Sequence, residues 1–191
     1  RIFYVASRGH HSDIGGIVPG SAPADSTTID EEGLVLDNVL LVQGGRFLEH
    51  EIRNLLTTGP WPARNPDQNV ADLKAQVAAC ERGAAELHNV INHYGLDVVH
   101  AYMGHVMENA EESVRRVIAA LSDCEFVGEM DDGNQIAVSI KVDLAKRSAV
   151  IDFTGTSDPH PGNFNAPKAV CRSAVLYVFR CMVNDAIPLN A

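Results

Sequence analysis

The sequence lacks the features that mark several large classes of protein. None of its 191 residues belongs to an apolar run approaching the roughly 18 residues that a membrane-spanning helix needs. Basic residues are scarce, 15 against 25 acidic ones, and a net charge of −10 disfavours binding to nucleic acids or anionic lipids. The four cysteines include no Cys-x-x-Cys pair. We therefore expect a cytoplasmic protein that binds neither nucleic acid nor membrane.

Several catalytic motifs that spacing alone can reveal are also missing. The sequence has no G-x-x-x-x-G-K-[ST] phosphate loop, no G-x-G-x-x-G and no G-x-S-x-G nucleophile elbow. Its eight histidines include no H-x-x-x-H pair, the spacing that presents two metal ligands on one helix face. ATP binding by this chain is therefore not expected.

The distribution of apolar residues predicts an α+β fold, an antiparallel sheet with a long helical hairpin. Apolar residues recur in steps of three and four from Val70 to Tyr94 and again from Val99 to Leu121, which predicts two long helices. Their short link makes them antiparallel neighbours, although the same seam is compatible with an oligomer contact. The expected strands and final helix follow: strands 126–130, 136–142 and 149–153, with a turn at 131–134, and a helix over 170–182.

The predicted organisation has three sections within one domain. Residues 1–66 form a strand and Gly/Pro-rich loop section, 67–123 the helical hairpin, and 124–191 a β-hairpin section with a helix. In the first section we expect a buried strand at Ile2–Ala6, a second strand at Leu34–Val42 and a helix at Phe47–Leu56. Both ends of the chain are apolar, so we expect a fragment of a larger chain.

Two glycine- and proline-rich loops carry the residues that are suited to binding a metal or a small ligand. The first, 7–24, contains Arg8-Gly9-His10-His11-Ser12-Asp13, and imidazole nitrogens with a carboxylate suit a divalent metal. Neighbouring side chains of an extended chain point apart, so His10 and His11 would share one ion only if the backbone bent. Two hydrogen-bonded loop histidines are the alternative. The second loop, 155–167, contains Asn163 and Asn165, which suit either a small polar ligand or the turn backbone.

The first loop also resembles a known family. The run Ala6-Ser7-Arg8-Gly9-His10-His11-Ser12-Asp13-Ile14-Gly15-Gly16 is similar to the corresponding segment of the hydantoinase B / 5-oxoprolinase family. Shorter similar segments extend the resemblance over essentially the whole chain, among them GLDVVHAYMGH (95–105), DFTGT (152–156) and GNFNAP (162–167). The middle segments look closer to the C-terminal, hydantoinase B-like part of 5-oxoprolinase than to the hydantoinases.

The resemblance implies an ATP-dependent cyclic amide hydrolase that converts 5-oxo-L-proline to L-glutamate in the full-length enzyme. A hydantoinase A-like domain or subunit would bind ATP, and the part represented here would serve the later hydrolytic step. An N-methylhydantoinase or an acetone carboxylase-type subunit, acting on a related carbonyl substrate, is the alternative within the family. A non-catalytic scaffold module is the alternative outside it. We also expect an oligomer.

The resemblance further implies roles for individual residues. His10 corresponds to a ligand of a divalent metal, whose other ligands in relatives come from a T-H-x-x-D segment that normally precedes the start of this chain. His11 and Asp13 become catalytic acid/base or supporting candidates. Arg8 suits the substrate carboxylate, with a structural ion pair as the alternative. Asn163 and Asn165 become substrate-binding candidates. The site would thus be incomplete, and we expect the isolated chain to be inactive.

Overall fold

The computed structural model describes residues 2–183 and divides them into two compact units. The first unit contains the described residues up to Gly95 together with His160–Phe164. The second contains Leu96–Pro159 and the described residues from Asn165 onward. The last eight residues of the predicted 124–191 section, and Arg1, lie outside the described residues. The three predicted sections stay a prediction.

The first unit is built around one long helix. Its elements are α1 (Ile29–Glu32), the short strands β1 (Val42–Gln43) and β2 (Arg46–Phe47), α2 (Glu49–Thr57) and α3 (Pro66–Tyr94). Helix α3 begins where the Asn65 side chain accepts a hydrogen bond from the Gln68 amide at 3.3 Å and Pro66 takes the first helical position. The core lies between α2 and the first turns of α3, and consists of Ile52, Leu56, Ala63, Val70 and Leu73.

The second unit combines a sheet with two helices. It contains α4 (Leu96–Ala119), β3 (Cys124–Glu129), β4 (Gln135–Asp143), β5 (Ser148–Asp152) and α5 (Lys168–Met182). The three strands form an antiparallel sheet in the order β3-β4-β5, with Phe126 opposite Val138 and Ile140 opposite Ile151. The alternation of apolar and polar residues along β4 gives this sheet one apolar face, as its sequence predicted.

The α+β class with antiparallel strands is confirmed, but two predicted strands are wrong. Residues 2–6 form no strand: Ile2 is 54% and Tyr4 83% exposed, and the segment lies along α3 instead of a sheet. In the 34–42 run only Val42 belongs to a strand. Asn38 interrupts this run with a left-handed backbone (φ +50°), which a continuous strand cannot contain.

Both long helices are present at the predicted positions, joined by Gly95. Because α3 belongs to the first unit and α4 to the second, their packing as a helical hairpin stays a prediction. Within residues 2–183, none of the helices combines the length and the apolar character needed to cross a bilayer.

Candidate functional site

The N-terminal segment, defined here as residues 2–13, runs antiparallel to α3 along one face of that helix. Asp13 contacts Asn69, His11 contacts Asp72, Gly9 lies against Gln76, and Val5 lies against Gly83. Each pair of residues along the segment therefore matches about one helical turn. Farther along, Ile2, Phe3 and Val5 line a groove of about 300 Å³ with apolar residues of α3. The segment is extended because it packs along the length of a helix, and it does not pair with a strand.

Side chains in the second half of this segment alternate between two environments. The side chains of His11 and Asp13 are each only 15% exposed and contact α3 or the residues just before it. Arg8, His10 and Ser12 are exposed. Among the described residues, neither Arg8 nor His10 has a hydrogen-bond or ion-pair partner. As expected for extended backbone, the two adjacent histidines therefore have separate surroundings.

His11 is held between a carboxylate and an amide of α3. Its Nδ1 atom lies 3.5 Å from Asp72 Oδ2 and 3.4 Å from Asn69 Nδ2. The Asn69 Nδ2 group also donates to the Asp13 carbonyl oxygen at 2.8 Å. These contacts fix the imidazole ring and the local backbone together.

Asp13 organises the loop through a set of convergent donors. Its carboxylate accepts hydrogen bonds from the backbone amides of Gly15 (3.0 Å), Gly20 (2.9 Å) and Arg64 (3.3 Å), and from Arg64 Nη1 at 2.9 Å. Burial alone would raise the pKa of this carboxyl. The hydrogen bonds from Gly20, Gly15 and Arg64 outweigh burial and lower the pKa from 3.8 to about 2. Asp13 is thus an ionised anchor at neutral pH.

The arginine that pairs with Asp13 also binds the loop backbone. Its guanidinium donates to the carbonyl oxygens of Gly15 (3.3 Å) and Gly16 (2.8 Å). At this point the loop approaches other backbone very closely: a Cβ on Gly15 would lie 2.2 Å from the Trp61 carbonyl oxygen, and one on Gly16 would lie 2.5 Å from that of Glu32. Both residues also have φ near +90°. Glycine is required here by space as well as by conformation.

The second loop contributes to the first unit only through its tip. Gly162 comes so close to the end of the first loop that an added Cβ would lie 2.8 Å from the Ala24 carbonyl oxygen. Asn163 follows it and is half-buried. Asn165 belongs to the second unit and is exposed, and the substrate-binding roles of both asparagines stay a prediction.

The described residues do not by themselves form a metal centre. Across residues 2–183, no three His, Cys, Asp or Glu side chains converge as ligands. Asp13 is occupied by Arg64 and backbone amides, and His11 faces Asp72. The role of His10 as a metal ligand stays a prediction.

Three residues of the site were missed by sequence reasoning: Arg64, Asn69 and Asp72. The signal for two of them was available, because Asn69, Asp72 and Gln76 are polar at helical spacing beside the apolar stripe of α3. A polar stripe of this kind indicates a face that contacts polar loop residues. Arg64 had no comparable signal, since it lies 51 positions from Asp13 in the chain.

Together these features define a mixed α+β protein whose glycine-rich loop is fixed against a long helix and presents an arginine and a histidine to solvent. The chain belongs to the Hydantoinase B/oxoprolinase family, whose model matches residues 1–191. It is 42% identical over 198 residues to 5-oxoprolinase from Dictyostelium discoideum and 41% identical over 213 residues to 5-oxoprolinase 1 from Arabidopsis thaliana. Each alignment covers 99% of this chain.

The relatives differ greatly from this chain in length. It spans only 15% of the Dictyostelium protein and 17% of the Arabidopsis protein. A more distant relative, a putative D-/L-hydantoinase subunit from a Pseudomonas species, is 30% identical over 172 residues, covering 82% of this chain and 28% of that protein.

Proposed function

We propose that this chain forms part of a cyclic amide hydrolase that converts 5-oxo-L-proline to L-glutamate with hydrolysis of ATP. The observation that carries the proposal is identity of about 40% to proteins named 5-oxoprolinase along nearly the whole chain. The proposed ATP requirement has a chemical reason, because an unstrained amide is a poor electrophile. Phosphorylation of the amide oxygen turns that oxygen into a leaving group, and a hydantoinase A-like domain or subunit supplies this step.

In this proposal the exposed side of the first loop meets the substrate. The Arg8 guanidinium, which has no partner among the described residues, matches the 5-oxoproline carboxylate with two parallel hydrogen bonds. His10 supplies one ligand of a divalent metal, and the others come from the longer polypeptide. His11 acts in acid/base chemistry, and Asp13 keeps the loop in shape as an ionised anchor. Asn163 and Asn165 are secondary substrate contacts.

A second candidate function is the opening of a hydantoin ring. It is favoured by the 30% identity to the Pseudomonas protein named as a D-/L-hydantoinase subunit. Hydantoins and 5-oxoproline both contain a five-membered ring with an amide carbonyl, so one loop geometry suits both. A hydantoin without a carboxylate would give Arg8 no partner, and an Arg8→Lys variant separates the two substrates. The variant lowers kcat/KM for 5-oxoproline about tenfold or more and leaves hydantoin turnover unchanged.

The test uses the full-length polypeptide that contains this chain. We expect ATP-dependent formation of glutamate from 5-oxoproline, and we expect His10→Ala to reduce both turnover and bound divalent metal at least tenfold. His50→Ala is the matched control, because His50 is an exposed histidine of α2 without a partner among the described residues. If metal content and ring opening both survive His10→Ala, the assigned role of His10 is wrong.

The chain alone provides a second test. Mixed with 5-oxoproline, ATP and divalent metal, the 191-residue chain is expected to form no glutamate. Turnover by the chain alone would contradict the view that its site needs residues from the longer polypeptide.

A further inference from the structure

The N-terminal segment contains a stretch of extended backbone without hydrogen-bond partners. Residues 4–10 are all exposed, and none of their amide or carbonyl groups makes a hydrogen bond with a described residue. The stretch is nevertheless ordered along α3, with Val5 against Gly83 and Gly9 against Gln76. Extended backbone with an open edge is a template for pairing with another strand.

The residue types at the start of the segment are those of a strand. Residues 2–6 read Ile-Phe-Tyr-Val-Ala, and four of these five are β-branched or aromatic, as strands prefer. Proteins protect an exposed strand edge with proline or charged side chains, and residues 2–7 contain neither. Yet Tyr4 is 83% and Ile2 54% exposed. The sequence therefore suits a segment that is covered by a partner.

The helix under the segment offers space for the side chains of such a partner. A groove of about 300 Å³ lies between the segment and α3, lined by Ile2, Phe3, Val5, Ala84, Leu87, His88 and Ile91. Paired strands lie about 4.8 Å apart, and alternate side chains of both strands point to the same side. A strand paired with residues 2–6 would thus place its apolar side chains in this groove, which makes a sheet packed on a helix.

Close packing on α3 holds the segment in a form that can pair. A Cβ on Gly83 would lie 2.9 Å from Val5 Cγ1, so the segment occupies the space that a larger residue would fill. Glycine is unfavourable in the interior of a helix, and here its position matches the closest approach of the segment. The backbone of the segment is thus arranged before a partner binds, which lowers the entropic cost of pairing.

We propose that residues 2–6 pair with a β-strand of the longer polypeptide, whose apolar side chains fill the groove beside α3. This chain spans 15% and 17% of its Dictyostelium and Arabidopsis relatives, so most of each relative lies outside the matched region. A strand of the same polypeptide has an effective concentration of the order of millimolar, which favours it over a second copy. The proposal does not depend on the reaction that the longer polypeptide catalyses.

The first experiment measures hydrogen exchange of single amides in the full-length polypeptide by mass spectrometry. Residues 35–40 are the internal reference, because their amides also make no hydrogen bond with described residues and the left-handed Asn38 prevents a continuous strand. After correction for intrinsic rates, we expect at least one amide of residues 4–6 to exchange about 30-fold or more slowly than the reference. If all three amides exchange faster than this, the proposal is overturned.

Two proline variants distinguish strand pairing from burial alone. Proline has no amide proton, and successive amides point to opposite edges, so Tyr4→Pro and Val5→Pro each disrupt one edge. We expect at least one variant to raise the exchange rates of the remaining slow amides about tenfold or more. Unchanged exchange in β3–β5 shows that the variants are folded.

Val5→Ala is the matched control, because it removes most of the side chain and keeps the amide. It should raise the exchange rates much less than the effective proline variant. Slow exchange that survives both proline variants, or that is lost as fully in Val5→Ala, would indicate burial without pairing and would overturn the proposal.

Dilution identifies the source of the strand. Pairing within one polypeptide gives exchange rates that do not depend on protein concentration. Slow exchange that is lost when an oligomer dissociates would assign the strand to a second copy and would overturn the proposal. A polypeptide with the slow amides but without turnover of 5-oxoproline would contradict the proposed function and leave the strand pairing standing.

Discussion

The two glycine-rich loops have similar compositions, but they are held in different ways. In the first, a guanidinium and a carboxylate distant in sequence fasten the backbone at several points, with Arg64 binding both Asp13 and the carbonyl oxygens of the two glycines. In the second, residues 155–157 are held by hydrogen bonds between neutral groups, such as that from the Gln135 amide to Ser157 Oγ at 2.9 Å. A loop fixed by charged groups presents its other side chains in a defined geometry, which a binding site requires.

The largest difference should appear when a methyl group is added to each loop. Gly15 and Gly155 have nearly equal φ angles, +96° and +97°, so Ala introduces similar backbone strain at both. At Gly15 the new Cβ would lie 2.2 Å from a backbone oxygen, whereas at Gly155 the nearest atom is a side-chain carbon at 3.4 Å. We expect Gly15→Ala to cost roughly 3–5 kcal/mol and Gly155→Ala about 1–2 kcal/mol. Urea denaturation followed by circular dichroism measures the free energy of unfolding of both variants. Equal losses of stability would contradict the close approach of Gly15 to other backbone.

A smaller effect is expected from removing the charge of the first loop. Asp13→Asn deprives the amides of Gly15, Gly20 and Arg64, and the Arg64 guanidinium, of their ionised acceptor. This change should cost on the order of 2 kcal/mol at neutral pH. Asp158→Asn is the control in the second loop, because Asp158 is exposed and has no partner among the described residues. We expect Asp158→Asn to leave the free energy of unfolding almost unchanged.

The same variant gives a pH signature with a definite sign. The pKa of Asp13 is lowered from 3.8 to about 2 in the folded chain, so its contribution is complete above pH 3.8 and is lost as the pH falls toward 2. The stability gap between wild type and Asp13→Asn should therefore close over that interval. A gap that stays constant down to pH 2 would show that the charge of Asp13 does not stabilise the loop.

The smallest effects concern two hydroxyl groups with matched bonding. Ser21 Oγ accepts from the Ile14 amide and donates to the Gly15 carbonyl, each at 2.7 Å. Thr156 Oγ1 does the same with the amide and carbonyl of Ala137, at 3.1 and 3.2 Å, and is exposed. We expect Ser21→Ala to cost about 1.5 kcal/mol and Thr156→Val about 0.5 kcal/mol. The reverse order, measured by the same denaturation experiment, would contradict the ranking of the loops.

The elements that the sequence predicted well are those that local periodicity determines. Helix α3 and the strands β3 to β5 have uninterrupted apolar patterns, and the structure places each within a few residues of its predicted position. The Ile2–Ala6 run has an equally apolar pattern but meets a helix instead of a strand. Apolar composition indicates that a segment has a neighbour and leaves the kind of neighbour open.

The candidate site was predictable in its residue types and only partly in its contacts. The separation of His10 from His11 followed from the geometry of extended chain, because alternate side chains lie on opposite sides. The pairing of Asp13 with Arg64 depends on how the chain folds back over 51 positions, which no local pattern contains. The resemblance implies an acid/base or supporting role for Asp13, whereas its four hydrogen-bond donors make it an anchor of the loop in this structure.

Two residues of the N-terminal segment match each turn of α3, so the register between segment and helix depends on the number of residues in the segment. A substitution along residues 8–13 alters the contacts of one side chain, but insertion or deletion of a single residue there would exchange the two sets of side chains, so that the positions of His10 and His11 are swapped. Only the insertion or deletion of two residues would keep the later side chains on their original sides. This stretch of the chain therefore tolerates changes of residue type far better than changes of length.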